Sequence, residues 1–260
     1  MQLTSAKNPQ LQKIRRAATG GRPTEEGWVV AEGPHLVEEA LKGRGRWRVE
    51  QIVATVEARA NFAPLIERAR AEVVEVSPRA METIADTECS QGILALLKPP
   101  AVAWHDLTSS RTLLLILDGI QDPGNVGTII RSAEAFGASG VILLKGCPRI
   151  SNGKLLRATA GSIFRVPSIE DATASEAIDW VRKVNLKLYG LAVGGSVLIG
   201  KADLRAGCAL AVGSEGRGLS AEILRRAEAV SIPISQVESL NAAVACSIAL
   251  FEAQRQRTEE

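Results

Sequence analysis

Three short segments in the second half of the chain hold polar residues of the kind that bind ligands or carry out chemistry. They are residues 117–132, 212–219 and 232–243. In each, a short apolar stretch leads into a polar, turn-rich loop, and a helical pattern follows. Because ligands bind at the loops that follow the carboxyl ends of strands in an open α/β sheet, these loops predict one composite site.

The first segment offers an amide and a guanidinium group. Asn125 follows an Asp-Pro-Gly turn, so its side chain could cap the helix or could orient a substrate or a second loop. Arg131 lies two turns further on, beside an apolar stripe. It can pair with Glu134 three residues away, or it can grip a carboxylate or phosphate group. The nearby ligand loop favours the second role.

The second segment is a glycine-rich turn with a single acid. Gly213, Gly216 and Gly218 allow tight backbone turns, but their spacing matches neither the dinucleotide-binding pattern nor the phosphate loop of nucleotide hydrolases. Glu215 at this turn would repel a pyrophosphate. The loop therefore favours a cationic or hydroxyl-bearing ligand.

The third segment leads into the last predicted helix, residues 240–257. Ser239 and Asn241 lie at its start, where they either cap the helix or belong to the site. The helix is apolar on nearly every side, and a helix of that kind is buried all round. We therefore expect it to pack against a second subunit or under another segment.

Composition excludes several kinds of site. Only two histidines are present, His35 and His105, and both are far in sequence from the three loops, so neither a catalytic triad nor a zinc site has support. The four cysteines form no Cys-x-x-Cys pair and predict reduced thiols in a cytoplasmic protein: Cys89, Cys147, Cys208 and Cys246. No apolar run approaches the ~18 residues of a membrane span, and no signal peptide is expected.

Charge is distributed unevenly although the net charge is only +2. Residues 1–24, 42–48 and 135–169 contain cations and no acids. Local basic patches fit a polyanionic partner, although ordinary solvated surface would look similar. The predicted RNA contacts are Lys7, Lys13, Arg15, Arg16, Arg44, Arg46, Arg149, Lys154 and Arg157.

Strand and helix patterns alternate along the chain, which predicts an α/β protein. Residues 1–98 predict one small unit, and residues 99–110 predict a linker because they hold two prolines and a Thr-Ser-Ser run. Residues 111–260 predict a mostly parallel sheet with helices on both faces. The patterns also predict single helices over residues 57–70 and 154–164.

The three segments together resemble the SpoU/TrmH family of RNA ribose 2′-O-methyltransferases, in the SPOUT superfamily. The matching stretches are 125–131, 213–218 and 232–243, and residues 5–9 and 32–37 resemble the substrate-binding domain often fused to that family. The resemblance implies a small N-terminal α/β/α sandwich and a Rossmann-like, trefoil-knotted C-terminal domain. It also implies S-adenosylmethionine as methyl donor, a homodimer that uses the last helix, and RNA as substrate.

The resemblance also implies roles for individual residues. The catalytic set is Asn125, Arg131, Glu215, Ser239 and Asn241. The residues expected to bind S-adenosylmethionine are Val193, Gly194, Gly213, Glu215, Gly216, Ile232, Leu240 and Asn241. No metal is expected.

The implied reaction is attack of a ribose 2′-hydroxyl on the methyl group of a sulfonium. The resemblance makes Arg131 the base, whereas the chemistry of a guanidinium favours holding the ribose-phosphate and stabilising the developing alkoxide. Single strands and loops are the expected target, and the N-terminal domain favours ribosomal RNA. The alternatives are transfer RNA as substrate, a non-catalytic RNA-binding subunit, and a nicotinamide-dependent oxidoreductase, which the missing Gly-x-Gly-x-x-Gly pattern disfavours.

Overall fold

The computed structural model describes Leu3, Ser5 and residues 7–42 and 47–258. These residues form two compact units. The first comprises the described part of Met1–Ala101 together with Arg149–Arg165, and the second comprises Val102–Pro148 and the described part of Val166–Glu260. No helix in the described ranges is long and apolar enough to cross a membrane.

The elements alternate between strands and helices, as the sequence predicts. In chain order they are α1 (Pro9–Gly20), β1 (Val29–Glu32), α2 (Pro34–Lys42), β2 (Arg48–Thr55), α3 (Val56–Asn61), α4 (Ala63–Ala69), β3 (Glu72–Val76), α5 (Pro78–Ile84), β4 (Ile93–Lys98), β5 (Leu113–Asp118), α6 (Pro123–Ala135), β6 (Gly140–Leu144), α7 (Gly153–Ala158), β7 (Ser168–Ala172), α8 (Ala174–Lys183), β8 (Lys187–Leu191), β9 (Val197–Leu198), β10 (Cys208–Gly213), α9 (Ala221–Leu224), β11 (Glu228–Ser231) and α10 (Ala242–Thr258).

The first unit contains a four-stranded mixed sheet in the order β1-β4-β2-β3. Helices α1 and α5 cover one face, where Leu11 packs with Val53 and Leu96. Side chains alternate between the faces of a strand, and the neighbouring Ile52 and Ala95 are also fully buried. Both faces of the sheet are therefore covered, as expected for an α/β/α sandwich.

The segment Arg149–Arg165 packs with this first unit, although it lies between β6 and β7 in the sequence. The hydroxyl of Ser151 donates to the carbonyl of Gly21 at 2.7 Å. The ring of Phe164, which is 1% exposed, contacts the ring of Trp47 at a centroid distance of 5.3 Å. The two compact units therefore do not correspond to a division of the chain at one linker, because this later segment belongs to the first unit.

The predicted helix over residues 154–164 is wrong, because the chain leaves the helix after Ala158. The hydroxyl of Thr159 donates to the carbonyl of Leu156 at 2.7 Å. Ala160 and Gly161 then adopt positive φ angles of 47° and 91°, and a 3-10 turn follows. The Thr159 hydroxyl thus satisfies a backbone carbonyl at the end of the helix, and two residues in the left-handed conformation cannot continue a helix.

The predicted helix over residues 57–70 is also divided, into α3 and α4, at Phe62. Pro64 occupies the first turn of α4, where its missing N–H needs no partner. Three elements were not predicted: α5, β7 and β9. Helix α5 begins after Ser77, whose hydroxyl accepts from the N–H of Ala80 at 3.2 Å. Strand β7 is a half-exposed edge strand, and β9 is only two residues long.

The second unit contains a parallel seven-stranded sheet in the order β7-β6-β5-β10-β8-β11-β9. On one face Ile116 and Ala211 pack with Val181 of α8. On the other face, α10 packs against α6 and β10, and Leu115 and Leu210 are fully buried. The predicted parallel sheet with helices on both faces is confirmed. Leu107, within the predicted linker, is fully buried in the core of this unit.

The last helix, α10, is buried on one side only within the single chain. Cys246, Ala249 and Leu250 are fully buried, whereas the large apolar side chains of Val244 and Phe251 are 48% and 54% exposed. The expectation that the helix is buried all round is therefore not met within one chain.

Candidate active site

The first loop ends in a capped helix that presents Asn125. The Asp122 carboxylate accepts from the N–H of Asn125 at 2.9 Å, so Asp122 is the N-cap of α6. The interpretation of Asn125 as the N-cap is therefore wrong. Its amide is left available for contacts beyond its own loop.

Asn125, Glu215 and Asn241 form one hydrogen-bonded group that joins all three loops. The amide of Asn125 donates to the carboxylate of Glu215. The amide of Asn241 donates to Asn125 Oδ1 at 3.0 Å and to Glu215 Oε1 at 3.3 Å. The Glu215 carboxylate is thus oriented by two amide donors.

The loop that carries Glu215 is closed at its base by backbone contacts. The N–H of Gly218 donates to the carbonyl of Ser214 at 2.8 Å. A Cβ atom at Gly213 would lie 2.1 Å from the carbonyl carbon of Gly218. Because no real contact is that short, the loop closes only with glycine at position 213.

Asn241 caps the helix that follows it and also contacts the other two loops. Its Oδ1 accepts from the N–H groups of Ala243 and Val244 at 3.0 and 3.2 Å, which caps α10. Its Nδ2 points to Asn125 and Glu215. The amide oxygen thus caps the helix, while the amide nitrogen of the same side chain reaches the other two loops.

A pocket of about 360 Å³ lies beside this group. Its walls are mainly apolar and include Leu191, Val212 and Leu240. Among the described residues that line it, Glu215 is the single acid and Arg217 the single cation. Pockets of this size, with apolar walls and few polar groups, bind small molecules. The acid beside apolar walls suits a ligand that has both a flat apolar part and a positive charge.

Most residues expected to bind the methyl donor lie at this pocket. Those that line it are Val193, Gly194, Gly213, Glu215, Ile232 and Leu240, and Ser239 of the expected catalytic set lines it as well. Gly216, Asn125, Asn241 and Arg131 are outside the lining, although two of them contact Glu215.

Arg131 is exposed on α6, six residues after Asn125, or about 9 Å along the helix. The guanidinium is accessible to a ligand from outside the chain.

Two charged residues near the pocket were not predicted. Asp118 accepts from the backbone N–H of Ser220 at 2.7 Å, and Arg217 lines the pocket. An acid at the end of an otherwise apolar buried strand is a signal that could have identified Asp118. Within the described ranges, no group of three or more His, Cys, Asp or Glu side chains could hold a metal ion.

The predicted RNA contacts that are described lie in the first unit. Lys7, Arg15, Arg16, Arg149 and Lys154 are exposed. Because Ser151 bonds to Gly21, the segment that holds the last two lies against the end of α1. Basic stretches that are distant in sequence therefore belong to the same unit.

Two further predicted RNA contacts form ion pairs with acidic residues. Lys13 pairs with Glu25 and Glu26 at 3.1 and 3.2 Å, and the hydrogen bonds that it donates to these acids raise the pKa of Lys13. Arg157 pairs with Asp86 at 2.8 Å. Arg44 and Arg46 lie outside the described residues.

The chain is similar to known proteins over almost its whole length. Residues 112–251 match the SpoU rRNA Methylase family, and residues 8–95 match the MRM3-like substrate binding domain. The protein named 23S rRNA (guanosine(2553)-2'-O)-methyltransferase RlmP from Bacillus subtilis (strain 168) is 34% identical over 252 residues, which cover 96% of this chain and 98% of that protein.

Solved structures of SpoU and rRNA methyltransferases are also similar to this chain. The SpoU methyltransferase AviRb from Streptomyces viridochromogenes, in complex with the cofactor AdoMet, has a TM-score of 0.87 and 26% identity, covering 97% of this chain and 99% of that one. The AdoMet-bound rRNA methyltransferase from Sinorhizobium meliloti has a TM-score of 0.85 and 30% identity, covering 98% and 97%. The resemblance in the three loops is confirmed, and the chain belongs to the SpoU rRNA methylase family.

Proposed function

We propose that this protein transfers the methyl group of S-adenosylmethionine to a ribose 2′-hydroxyl of ribosomal RNA. The observation that carries the proposal is the hydrogen-bonded group of Asn125, Glu215 and Asn241 beside the pocket. Family membership supports the reaction. The names of the relatives from Bacillus subtilis and Coxiella burnetii, both 23S rRNA guanosine 2'-O-methyltransferases, support the substrate.

The pocket fits S-adenosylmethionine in shape and charge. Leu191, Val212 and Leu240 would contact the flat, weakly polar adenine, and the carboxylate of Glu215 favours a ligand that carries positive charge. The same carboxylate disfavours the pyrophosphate of a nicotinamide cofactor. When bound, S-adenosylmethionine supplies a methyl group made electrophilic by the sulfonium.

The residues of the chain hold the reactants and stabilise charge. Asn125 and Asn241 fix the carboxylate of Glu215. Arg131 receives the ribose-phosphate of the RNA, and its permanent positive charge stabilises the alkoxide that develops as the hydroxyl attacks. Positioning the two reactants supplies much of the rate.

The first unit binds the RNA substrate, and the second carries out methyl transfer. Exposed cations of α1 and of the Arg149–Arg165 segment share the first unit, so phosphates along one strand can meet both. In this division residues 1–98 are the substrate-binding domain, residues 99–110 are the linker and residues 111–260 are the methyltransferase domain. The 149–165 segment packs with the substrate-binding domain.

The active form is a homodimer whose interface includes α10. Val244, Ile248 and Phe251 are spaced four and three residues apart on one helix face and are 48%, 36% and 54% exposed. With Thr128 and Ser247 they line an apolar groove of about 310 Å³. Contiguous exposed apolar surface is uncommon on monomers, and two-fold dimers are the commonest way to cover it. The trefoil knot, the cytoplasmic location and the absence of a metal stay predictions.

The test is methyl transfer to purified RNA. The protein is incubated with S-adenosylmethionine labelled in the methyl group and with ribosomal or transfer RNA from cells that lack the protein. A 2′-O-methyl group blocks alkaline cleavage, so the label should appear in alkali-resistant dinucleotides of ribosomal RNA. Label in transfer RNA alone would overturn the ribosomal substrate. No label in any RNA would favour a non-catalytic RNA-binding subunit.

A further inference from the structure

Asp118 links the strand before the first loop to the segment that follows the second. It ends β5, where Gly213 of β10 is its neighbour in the parallel ladder. Its Oδ2 accepts a hydrogen bond from the backbone N–H of Ser220 at 2.7 Å, across 102 positions of sequence. Neither Asp118 nor Ser220 is among the described residues that line the pocket, so Asp118 acts on the pocket through the loop to which it is bonded.

Ser220 marks the exit of the loop that carries Glu215. Gly218 and Leu219, the two residues before it, line the pocket. Asn125 holds the other end of the same loop through Glu215. The β5–α6 segment therefore holds the loop at two points, with Asp118 at the exit and Asn125 at the acid.

Two contacts are needed to fix the loop, because its glycine content makes its backbone flexible. Its glycines leave the backbone many conformations. The bond between Gly218 and Ser214 closes the turn, but it lies within the loop and cannot fix the tilt of the loop against α6. The contacts of Asn125 and Asn241 are both made to Glu215, so with these alone the loop could pivot about Glu215.

We propose that Asp118 is a positioning residue, whose hydrogen bond to the Ser220 N–H sets the loop of Glu215 against the pocket and so controls methyl-donor binding and transfer. This inference rests on the proposed function. A displacement of about 1 Å at a reacting centre can cost 10²-fold in rate, so the bond has a kinetic consequence beyond stability.

Two pairs of variants test the bond, one pair at the acceptor and one at the donor. In each pair one variant removes the bond and the other keeps it. Asp118→Ala removes the acceptor, whereas Asp118→Asn keeps a side-chain oxygen that can accept from the same N–H. Ser220→Pro removes the donor, and the φ of −61° at Ser220 suits proline. Ser220→Ala keeps the N–H and removes only the hydroxyl. Asp106→Ala is the control, because Asp106 accepts from the N–H of Ala103 at 2.8 Å in another part of the second unit.

The full-length protein is used, and S-adenosylmethionine affinity is measured by calorimetry without RNA, below the melting temperature of each variant. We expect Asp118→Ala and Ser220→Pro to weaken binding about tenfold and to slow single-turnover methyl transfer about 100-fold. Asp118→Asn, Ser220→Ala and Asp106→Ala should stay within threefold of the parent. The double variant Asp118→Ala/Ser220→Pro should be no worse than either single variant, because both remove one bond.

The outcomes separate this inference from the proposed function. A parent protein that binds S-adenosylmethionine but transfers no methyl group would overturn the proposed function, and the affinities would still test Asp118. Parental affinity in Asp118→Ala would overturn the inference. Equal losses in Asp118→Ala and Asp118→Asn would also overturn it, since charge rather than the hydrogen bond would then be responsible. If Asp118→Ala does not fold, the Ser220 pair decides.

Discussion

The Nδ2 atom of Asn241 lies 3.0 Å from the Oδ1 atom of Asn125, although 116 positions separate the two residues. The same nitrogen is 3.3 Å from Oε1 of Glu215, which also accepts from the amide of Asn125. Each of the three side chains thus contacts the other two. Because such a network is cooperative, its members cannot be exchanged independently.

The variant Asn125→Asp should therefore be more harmful than Asn125→Ala. The alanine variant removes one donor, whereas the aspartate variant places a second carboxylate at hydrogen-bond distance from Glu215, and like charges this close repel. We expect methyl transfer to fall about 100-fold or more in Asn125→Asp, measured in single turnover. Equal rates in the two variants would show that repulsion between the two carboxyl groups does not add to the loss of the Asn125 amide.

The residues of this group could be predicted from sequence, but their contacts could not. Turn chemistry and the apolar strands identified all three loops, because those signals are local. The bond between Asn125 and Glu215 joins positions 90 apart, so it depends on β5 and β10 being neighbours in the sheet. Apolar strands buried on both faces carry no record of their order, so the bond between Asp118 and the N–H of Ser220 could not be predicted either.

The errors in predicting individual helices have local causes, whereas the error in domain packing does not. The segment after Ala158 has helical apolar spacing, but the Thr159 hydroxyl and the left-handed Ala160 end the helix. Helix α5 could have been found, because Ser77 followed by proline is a helix start signal. The packing of Arg149–Arg165 with the first unit could not, because it depends on long-range contacts such as that of Phe164 with Trp47.

Gly213→Ala should prevent the loop of Glu215 from closing. The new Cβ would meet backbone atoms of Gly218, which cannot move aside as a side chain can. We expect a loss of about 1–3 kcal/mol in the free energy of unfolding, together with lost S-adenosylmethionine binding. Gly216→Ala is the matched control, because a Cβ atom added at Gly216 would meet nothing within 4 Å. A parental melting temperature for Gly213→Ala would show that the loop closes differently.

Replacing Arg15 and Arg16 by glutamine should weaken RNA binding without affecting S-adenosylmethionine. Both side chains are exposed on α1 in the first unit. If each contacts a phosphate, the slope of log K against log salt should become shallower by about 1.5. Arg68→Gln/Arg70→Gln makes the same charge change at the end of α4 and serves as control. An equal effect of both pairs would indicate general electrostatic attraction instead of a defined surface.

Thiol labelling should find one reactive cysteine in the native protein. Cys89 is exposed, whereas burial raises the pKa of Cys147 and Cys208 to about 11 and that of Cys246 to about 12. Because the thiolate is the nucleophile, thiols with a raised pKa stay protonated and react slowly at pH 8. We expect one equivalent of label in native protein, none in Cys89→Ser and four after denaturation. Two equivalents in the native protein would mean that α10 or the loop of Cys147 opens.

A charge on the exposed face of α10 should separate the subunits. The sites to change are Val244 and Ile248, because Ala249 is fully buried within the chain and Ala245 lines the pocket, so a charge there would disturb the fold or the ligand instead. Val244→Glu or Ile248→Glu would place a carboxylate in the apolar groove, where it would be desolvated on association. We expect the parent to be a dimer by light scattering at micromolar concentration and both variants to be monomers.

The matched control is Gln254→Glu, which adds the same charge to an exposed polar position of the same helix and should leave the dimer intact. Dissociation should also reduce methyl transfer. Asn241 caps the start of α10, so a helix that loses its packing partner loosens the group of Asn125, Glu215 and Asn241. A parent protein that is monomeric and fully active would contradict the homodimer. A monomeric Val244→Glu with parental activity would place the whole active site within one chain.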